Sequence, residues 1–468
     1  MPDPSPLDTA AIALNRFGLG ARPDEPVPAH PRAWLLGQFE RYSALPQAWA
    51  DQPGCATQVM AYVDYLRELR QASAGNELAV RQTLQKQTRQ RYRAAVNARA
   101  EATLQAPAPF VERLVHFWSN HFAVSIDKAP IAALAGAFEA EAIRPHVLGR
   151  FEDLLLAVER HPAMLMYLDQ ARSMGPGSVA VQRFARDQPE RQRGLNENLA
   201  REILELHTLG VRSGYGQDDV TELARALTGW TVGGLPGLPY PARLDSAARG
   251  GFGFQSLLHE PGVRTVLGRR YEQRGVAQAE AVLRDLAAAP ATAQHIAYKL
   301  ARHFAGDTPP QALVERLAAA FTRSGGDLPG VYRALVESPE VWAATSPKFK
   351  TPWEWTLSAM RGLGWHELQG QQLAPMLTQL GQTIWRPGSP AGYDDMAESW
   401  AAPDALMRRV EWAQRLAARA GSALDARVLG PKWVPGGLSE ATVRQVARAE
   451  SPATALALLL VSPEFLRR

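Results

Sequence analysis

The side chains best suited to chemistry are concentrated in one run, 196–210, whose sequence is NENLAREILELHTLG. Its carboxylates and its histidine are groups that hold a divalent metal or transfer protons. In an α-helix, at about 100° per residue, Glu202 and Glu205 lie one turn apart, whereas His207 lies roughly 160° from Glu205. Metal pairs on a helix use an i, i+3 or i, i+4 spacing. A histidine ligand for the two glutamates must therefore come from elsewhere, unless the helix end bends His207 round.

Three interpretations of this run remain open. In the first, Glu197, Arg201 and Glu205 form a charge-paired i, i+4, i+8 row that locks the helix against a neighbour. In the second, Glu202 and Glu205 face a pocket, where they bind a cation or act as a general base while Asn198 and Arg201 orient other groups. In the third, the row is an ordinary solvated helix face.

A second cluster of polar side chains lies in the aromatic run HFWSNHF at 116–122. His116 and His121 point about 140° apart on a helix, so they cannot both face one ion. His121 is flanked by aromatic residues, and a histidine in such a place is either neutral and hydrogen-bonded or serves as a ligand or acid/base group. A contact between this cluster and the two glutamates of the first run would unite them in one site. The predicted catalytic residues are His121, Glu202, Glu205 and His207.

Several short motifs resemble one uncharacterised bacterial family, known as domain of unknown function 1800. The motifs are NRFGLG at 15–20, FWSNHF at 117–122, NENLAREILELHTLG at 196–210, DVT at 219–221, ALTGW at 226–230, HEPG at 259–262, KTP at 350–352 and SPEF at 462–465. The resemblance spans nearly the whole chain. Relatives often carry a histidine where Ser119 stands. The predicted binding residues are Asn120, Asn196, Glu197, Asn198, Arg201, Asp219, Trp230 and His259.

The resemblance implies a helical bacterial protein but no particular activity. Many relatives look exported, and they often neighbour a companion family that resembles sulfatases and alkaline phosphatases. Two hypotheses follow. The protein is a metal-dependent hydrolase or oxidase with a polar His/Glu/Arg pocket and a divalent metal as cofactor, or it is a non-enzymatic binding or assembly partner of a sulfatase/phosphatase-like companion protein. The enzyme hypothesis requires His121 and Glu202 or Glu205 to converge in one solvent-reachable pocket.

The elements that must position these residues are mostly helices. The apolar periodicity predicts an all-α, multi-helix fold with a small β-hairpin/loop insertion around 231–270. The chain divides into an N-terminal helical region, 1–170, and a central region, 171–270, which holds a helix–loop–helix motif and the Gly/Pro-rich insertion. A C-terminal helical region, 271–468, completes it.

Helix-capping residues predict where the motif helices begin and end. Asn196 is expected to cap a helix that runs through Leu209, with Gly210 in the left-handed conformation at its end. A second helix is expected from about 218 to 229, which makes the helix–loop–helix.

Three further predictions concern segments outside the motif helices. The aperiodic stretch 171–194 is expected to be an exposed loop. The sequence TPWE at 351–354 predicts a helix start with a capping box. The tryptophans between 353 and 400 either line a groove for a ligand or pack in the core.

The composition limits the possible partners. A net charge of +4 over 468 residues does not call for nucleic acid. One cysteine, Cys55, excludes an intrachain disulfide and a zinc site built on several thiolates. No apolar run approaches the roughly 20 residues of a membrane span. The N-terminus lacks the basic and apolar segments of a secretory signal, so we expect a cytoplasmic location.

Overall fold

The computed structural model describes residues 6–73, 75–187, 194–236, 246–247, 249–343, 348–421 and 424–468. Within these ranges the chain is predominantly α-helical with two small antiparallel sheets, which confirms the predicted all-α class with a small β insertion. The α-helices are α1 Pro6–Ile12, α2 Pro31–Leu36, α3 Gln47–Ala50, α4 Cys55–Gln71, α5 Glu77–Gln105, α6 Pro109–His121, α7 Ile131–Phe138, α8 Phe151–Arg160, α9 Pro162–Tyr167, α10 Val179–Asp187, α11 Asn198–Glu202, α12 Gln217–Leu227, α13 Val276–Ala288, α14 Pro290–Ala305, α15 Gln311–Ser324, α16 Leu328–Glu337, α17 Pro352–Gly362, α18 Leu373–Gln379, α19 Pro403–Ala420, α20 Ala426–Trp433, α21 Glu440–Ala447 and α22 Pro452–Leu460.

The β insertion lies where the Gly- and Pro-rich composition predicts it. The strands are β1 Trp230–Val232, β2 Ser246–Ala247, β3 Phe252–Phe254, β4 Arg264–Val266 and β5 Arg269–Tyr271. The first sheet has the order β1-β3-β2, and the second is a hairpin of β4 and β5. Leu267 and Gly268 both have positive φ in the hairpin turn, at 51° and 73°, as a two-residue turn between twisted strands requires.

Two predicted segments differ from the structure. The helix expected to run unbroken through Leu209 is wrong, because α11 ends at Glu202 and is followed by a π-helical turn, Ile203–His207. The exposed loop expected at 171–194 is wrong over Val179–Asp187, which forms α10, whereas 188–193 lie outside the described residues. The second motif helix is confirmed as α12.

Helix α6 is the central element, and three π-helical turns dock against it. These turns are Ala13–Phe17, Glu139–Ile143 and Ile203–His207. The Arg113 guanidinium donates to the carbonyl of Gly18, just after the first turn, at 2.7 and 2.8 Å. The Ser119 hydroxyl donates to the Glu139 carboxylate of the second at 2.7 Å, and the His121 ring contacts the carbonyl of His207 in the third at 3.2 Å. A π turn holds one residue more than an α turn, so each turn redirects the groups that meet α6.

The core is continuous across the described residues. Buried apolar side chains from all three predicted regions, from Ile12 to Leu466, belong to one cluster, while the division into domains stays a prediction. In the part of the chain that the structure describes, no helix is long and apolar enough to cross a membrane.

Candidate functional site

A cavity of about 610 Å³ lies between α6, α14 and the segment 382–395. The first residues of α17 and Leu206 of the third π turn complete its wall. Its volume is within the range of about 300–1,000 Å³ typical of small-molecule sites. We take this cavity as the candidate site.

One polar wall of the cavity is built on a lysine–histidine pair. The Lys299 ammonium of α14 donates to Nδ1 of His121 at 2.9 Å. The other ring nitrogen, Nε2, therefore carries the proton and donates to the carbonyl of His207 at 3.2 Å. Burial and the charge of Lys299 hold the pKa of His121 well below its usual value, so the ring is neutral at pH 7.

Lys299 differs from the arginines that line the cavity because, among the described residues, it has no carboxylate within ion-pair distance. Each arginine that lines the cavity contacts a carboxylate: Arg99 contacts Glu139, Arg113 contacts Glu354, and Arg302 contacts Asp394. Within the described residues, Lys299 makes no ion pair closer than 4.0 Å. Burial lowers the pKa of Lys299 to about 8, although Asp395 opposes this shift. Lys299 is thus a protonated amine near neutral pH, and its hydrogen-bond partner is uncharged.

A second polar group joins α14 to the segment 382–395. The Asp395 carboxylate lies 3.1 Å from Nδ1 of His303 and 3.2 Å from Nζ of Lys348. Burial alone would raise the pKa of Asp395, but His303 and Lys348 hold it at about 2. Burial lowers the pKa of His303 to about 4. Asp395 is therefore an anion already neutralised by its neighbours.

The start of α17 supplies a third buried charge at the cavity. Thr351 and Glu354 form the predicted capping box, which is confirmed, with hydrogen bonds of 3.2 and 2.9 Å. The same carboxylate pairs with Arg113 of α6 and, at 2.9 Å, with Arg468. Burial favours the neutral acid, yet Arg468 and Arg113 hold the pKa of Glu354 well below its usual range.

Asn120 holds the remaining wall in place. Its amide nitrogen donates to the carbonyl of Tyr393 at 2.9 Å, and its amide oxygen accepts from the Tyr393 N–H at 2.7 Å. Gly392 has a φ of +87°, and a Cβ there would overlap the carbonyl oxygen of Asn120. The close approach therefore requires glycine. The predicted binding residue Asn120 thus closes the cavity by fixing its loop.

The tryptophans divide between the two predicted roles. Trp353 and Trp385 line the cavity, and the Arg99 guanidinium lies over both rings, 4.6 and 5.5 Å from their centroids. Trp355, in contrast, is fully buried in the core. The cavity thus has an aromatic wall opposite its polar one.

Of the four predicted catalytic residues, His121 lines the cavity, whereas Glu202, Glu205 and His207 are not among its described lining residues. Glu202 and Glu205 are partly buried on α11 and the π turn, and burial raises the pKa of Glu202. The structure therefore does not bring either glutamate to His121 in one pocket.

His207 meets a carboxylate that the sequence did not single out. The π turn directs its ring inward, and Nδ1 lies 2.7 Å from Oε1 of Glu159 on α8. Both side chains are buried, and Nε2 of His207 and Oε2 of Glu159 have no hydrogen-bond partner in the part of the chain that the structure describes. The ring centroids of His207 and His121 are 6.4 Å apart. The pair lies directly behind the cavity wall.

The polar residues before the π turn join α11 to α12. The Glu197 carboxylate accepts from Thr221 at 2.7 Å and from Gln217 at 2.8 Å, and it pairs with Arg201 at 3.4 Å. The charge row interpretation therefore describes Glu197 and Arg201, while the π turn carries Glu205 out of the row.

The start of the first motif helix differs from its prediction. Asn196 accepts from the Asn198 N–H at 2.9 Å, so it forms a local turn, and the helix begins at Asn198. Both residues border a separate, open surface depression.

The other predicted binding residues have structural contacts in the central region. Asp219 accepts from the N–H groups of Gly216 and Leu267, which ties α12 to the β4–β5 turn. Trp230 is fully buried in β1 and packs against Phe252. His259 bonds the carbonyl of Thr228 at 2.8 Å. None of the three is among the described residues that line the cavity.

Sequence reasoning missed the residues that α14 contributes. His295, Lys299 and His303 follow an i, i+4, i+8 spacing, so they lie along one face of the helix and all line the cavity. That row was the available signal. Asp394 and Asp395 stand in a stretch without periodicity and offered none.

The structure is that of a helical protein with the cavity described above, lined by polar and aromatic side chains. Comparison with known proteins gives its family: the chain belongs to the family described as "Protein of unknown function (DUF1800)", whose model matches residues 12–467. The match confirms the resemblance carried by the motifs. No curated protein and no solved structure matches the chain.

Proposed function

We propose that the protein binds a small organic anion in the cavity and that the Lys299 ammonium donates a proton to it, the neutral amine then regaining a proton from solvent. The observation that carries the proposal is the ammonium of Lys299, which faces the cavity and donates to the neutral ring of His121. A buried charge is unfavourable unless an opposite charge lies beside it. An anionic ligand would provide that charge.

The pKa of Lys299 supports the proton-transfer part of the proposal. At about 8, it lies near neutral pH, where a group is most effective as an acid or base. A bound anion would raise this pKa, because an opposite charge favours the protonated amine. His121 fixes the direction of the ammonium through the hydrogen bond at Nδ1.

The walls of the cavity indicate the kind of anion. Trp353, Trp385 and Tyr393 line the cavity, although Trp353 and Trp385 are only 3% and 6% exposed and lie beneath Arg99. Aromatic atoms at the cavity surface suit an unsaturated or aromatic organic group. A carboxylate attached to such a group could meet Lys299 while the remainder packs on the rings. Aromatic and unsaturated carboxylic acids are therefore the first ligands to try.

The same geometry favours metal-free chemistry over the metal-dependent hydrolase or oxidase of the first hypothesis. Glu354, Asp394 and Asp395 line the cavity, and each already pairs with a cationic or imidazole side chain. A divalent ion would have to break these contacts to gain ligands. A proton carried by Lys299 requires no such rearrangement.

The proposal is tested by measuring ligand binding with a panel of carboxylic acids, using thermal shift and calorimetry at pH 7. We expect at least one aromatic or unsaturated acid to bind wild-type protein, and Lys299→Met to weaken that binding by tenfold or more, about 1.4 kcal/mol. Lys299→Arg should keep part of the affinity, and Lys86→Met, at an exposed position on α5, should keep all of it.

Two outcomes would contradict the proposal: no acid in the panel binds, or Lys299→Met binds as tightly as wild type. Either would favour the alternative, a non-enzymatic partner of a sulfatase/phosphatase-like companion protein.

A further inference from the structure

A cluster outside the cavity combines the cysteine of the chain with a glutamate and a histidine. The ligand atoms of Cys55, Glu141 and His161 all lie within 4.8 Å of one another. No other group of three or more His, Cys, Asp or Glu side chains in the described residues meets this condition. We propose that these three residues bind one zinc-class divalent metal ion through a thiolate, a carboxylate and an imidazole.

An unpartnered buried atom at His161 points to a ligand. The side chain is 7% exposed, and among the described residues its Nε2 has no partner at full hydrogen-bond geometry. This atom faces Oε2 of Glu141 at 3.4 Å, a long contact that helps to lower the pKa of the Glu141 carboxyl against the effect of burial. Leaving a buried polar atom unsatisfied costs about 1–3 kcal/mol. A metal ion between the two side chains would satisfy both.

The supporting contacts already orient the carboxylate. The backbone N–H of Cys55 donates to Oε1 of Glu141 at 2.7 Å, which leaves Oε2 directed at His161. Glu141 belongs to the π turn Glu139–Ile143, and single π turns occur often at functional sites. Such outer hydrogen bonds are what hold metal ligands in position.

Burial and the neighbouring Glu141 carboxylate raise the pKa of the Cys55 thiol, so the thiolate forms when a metal ion supplies the positive charge. Cys55 is the first residue of α4, a helix of 17 residues, and the positive end of a helix dipole favours a thiolate. The Ala163 N–H reaches both the Cys55 sulfur and Nδ1 of His161. Coordination at Nε2 moves the ring proton to Nδ1, which then cannot accept from the Ala163 N–H. The Nδ1–H must turn away from that N–H, which is left to donate to the sulfur alone.

The ligand set matches zinc in softness and in number. Thiolate, imidazole and carboxylate are all zinc ligands, and three protein ligands leave a fourth position for water. The Glu141 side chain is 44% exposed, so solvent reaches the cluster. Tetrahedral zinc places its ligand atoms roughly 3.3–3.6 Å apart, so ligand atoms that now lie within 4.8 Å of one another need to approach by up to about 1.5 Å.

The test is titration of chelator-treated, full-length protein with Zn²⁺ and with Co²⁺. We expect one equivalent to bind, and the cobalt complex to show a thiolate-to-cobalt charge-transfer absorption. Cys55→Ala and His161→Asn should weaken binding by roughly 100-fold or more, since even outer hydrogen-bond partners of a metal are worth ~10–100-fold. Asparagine keeps a capping side chain at the start of α9. His146→Asn, outside the cluster, should bind as wild type does.

The proposal is overturned if wild-type protein binds no stoichiometric metal, if its cobalt complex lacks the thiolate band, or if Cys55→Ala and His161→Asn bind normally. Should either variant fail to fold, Glu141→Gln replaces it. This variant keeps the acceptor for the Cys55 N–H, and it should still lose the metal.

Discussion

At the scale of single residues, the charged side chains of the cavity differ in whether an opposite charge lies beside them. In the part of the chain that the structure describes, Asp395 and Glu354 have such a neighbour, and Lys299 does not. Asp395 and Glu354 each lie beside cations that hold their pKa values low. Among the described residues, Lys299 forms no ion pair within 4.0 Å, and its hydrogen-bond partner is the neutral His121. Since burial shifts the pKa of a lysine in proportion to the cost of its charge, Lys299 should reduce the stability of the free protein.

Replacing Lys299 tests this cost. Its pKa falls from 10.5 to about 8 on folding, so between pH 8 and 10.5 the unfolded chain binds more protons and stability rises with pH. Below pH 8 the full cost remains. We expect Lys299→Met to raise the free energy of unfolding at pH 7 by about 1–2 kcal/mol, less than the shift implies because the bond to His121 is lost.

The increase in the free energy of unfolding of Lys299→Met over wild type should become smaller as the pH approaches 10.5. Denaturant titrations at several pH values measure this difference. Lys86→Met is the matched control and should change nothing. A destabilised Lys299→Met at pH 7, or a gain that stays constant with pH, would show that Lys299 carries no such cost.

The buried pair behind the cavity makes a different prediction. Glu159 and His207 contact each other at 2.7 Å within the core, so removing one leaves the other buried without a partner. Glu159→Ala should destabilise the protein by about 3 kcal/mol. A double-mutant cycle with His207→Ala should give a coupling of about 1–3 kcal/mol. Glu152→Ala, on the same helix α8, removes a partly exposed carboxylate that pairs with Arg284 and should cost less than about 1 kcal/mol. Additive single and double variants would exclude the coupling.

At the scale of elements, the sequence predicted helices well where apolar periodicity and caps are local. The second motif helix, α12, and the Thr351 capping box follow from spacing and residue type alone. The π turn at 203–207 did not follow, because a period of about 3.6 residues cannot show one extra residue in a turn. That extra residue decides which way His207 faces. The direction of the His207 side chain could therefore not be predicted, because it depends on a π turn that the sequence pattern does not reveal.

The candidate site was predictable only in part for a related reason. His121 and Asn120 stand in an aromatic motif that drew attention to them. Their partners come from distant elements: Lys299 lies 178 residues from His121, and Tyr393 lies 273 residues from Asn120. Contacts over such separations are set by packing of the whole fold. The i, i+4, i+8 row on α14 marks a face of that helix but not its partner.

At the scale of the whole molecule, charged side chains join the N-terminal and C-terminal helices across the core. Glu354 on α17 pairs with Arg113 on α6 and with Arg468, and the Arg468 guanidinium also donates to the carbonyl of His303 on α14 at 2.8 Å. The buried arginine thus contacts α17 and α14 directly and is joined to α6 through Glu354. Because the apolar core around Arg468 is continuous, removing the contacts of this arginine should lower the free energy of global unfolding.

Arg468→Met tests that connection. We expect it to lower the free energy of unfolding at pH 7 by about 3 kcal/mol, because Glu354 stays buried with one cation fewer. Arg467→Met, at the adjacent exposed position, should have an effect below about 0.5 kcal/mol.

The Glu354 pKa is depressed in the folded state, so its stabilising contribution is present above the ordinary pKa of 4.5 and is lost as the pH falls below it. The difference in the free energy of unfolding between wild type and Arg468→Met should therefore become smaller as the pH falls below 4.5. Denaturant unfolding followed by both tryptophan fluorescence and circular dichroism measures this. Equal stability of the two arginine variants, or a difference that persists in acid, would mean that Glu354 does not depend on Arg468.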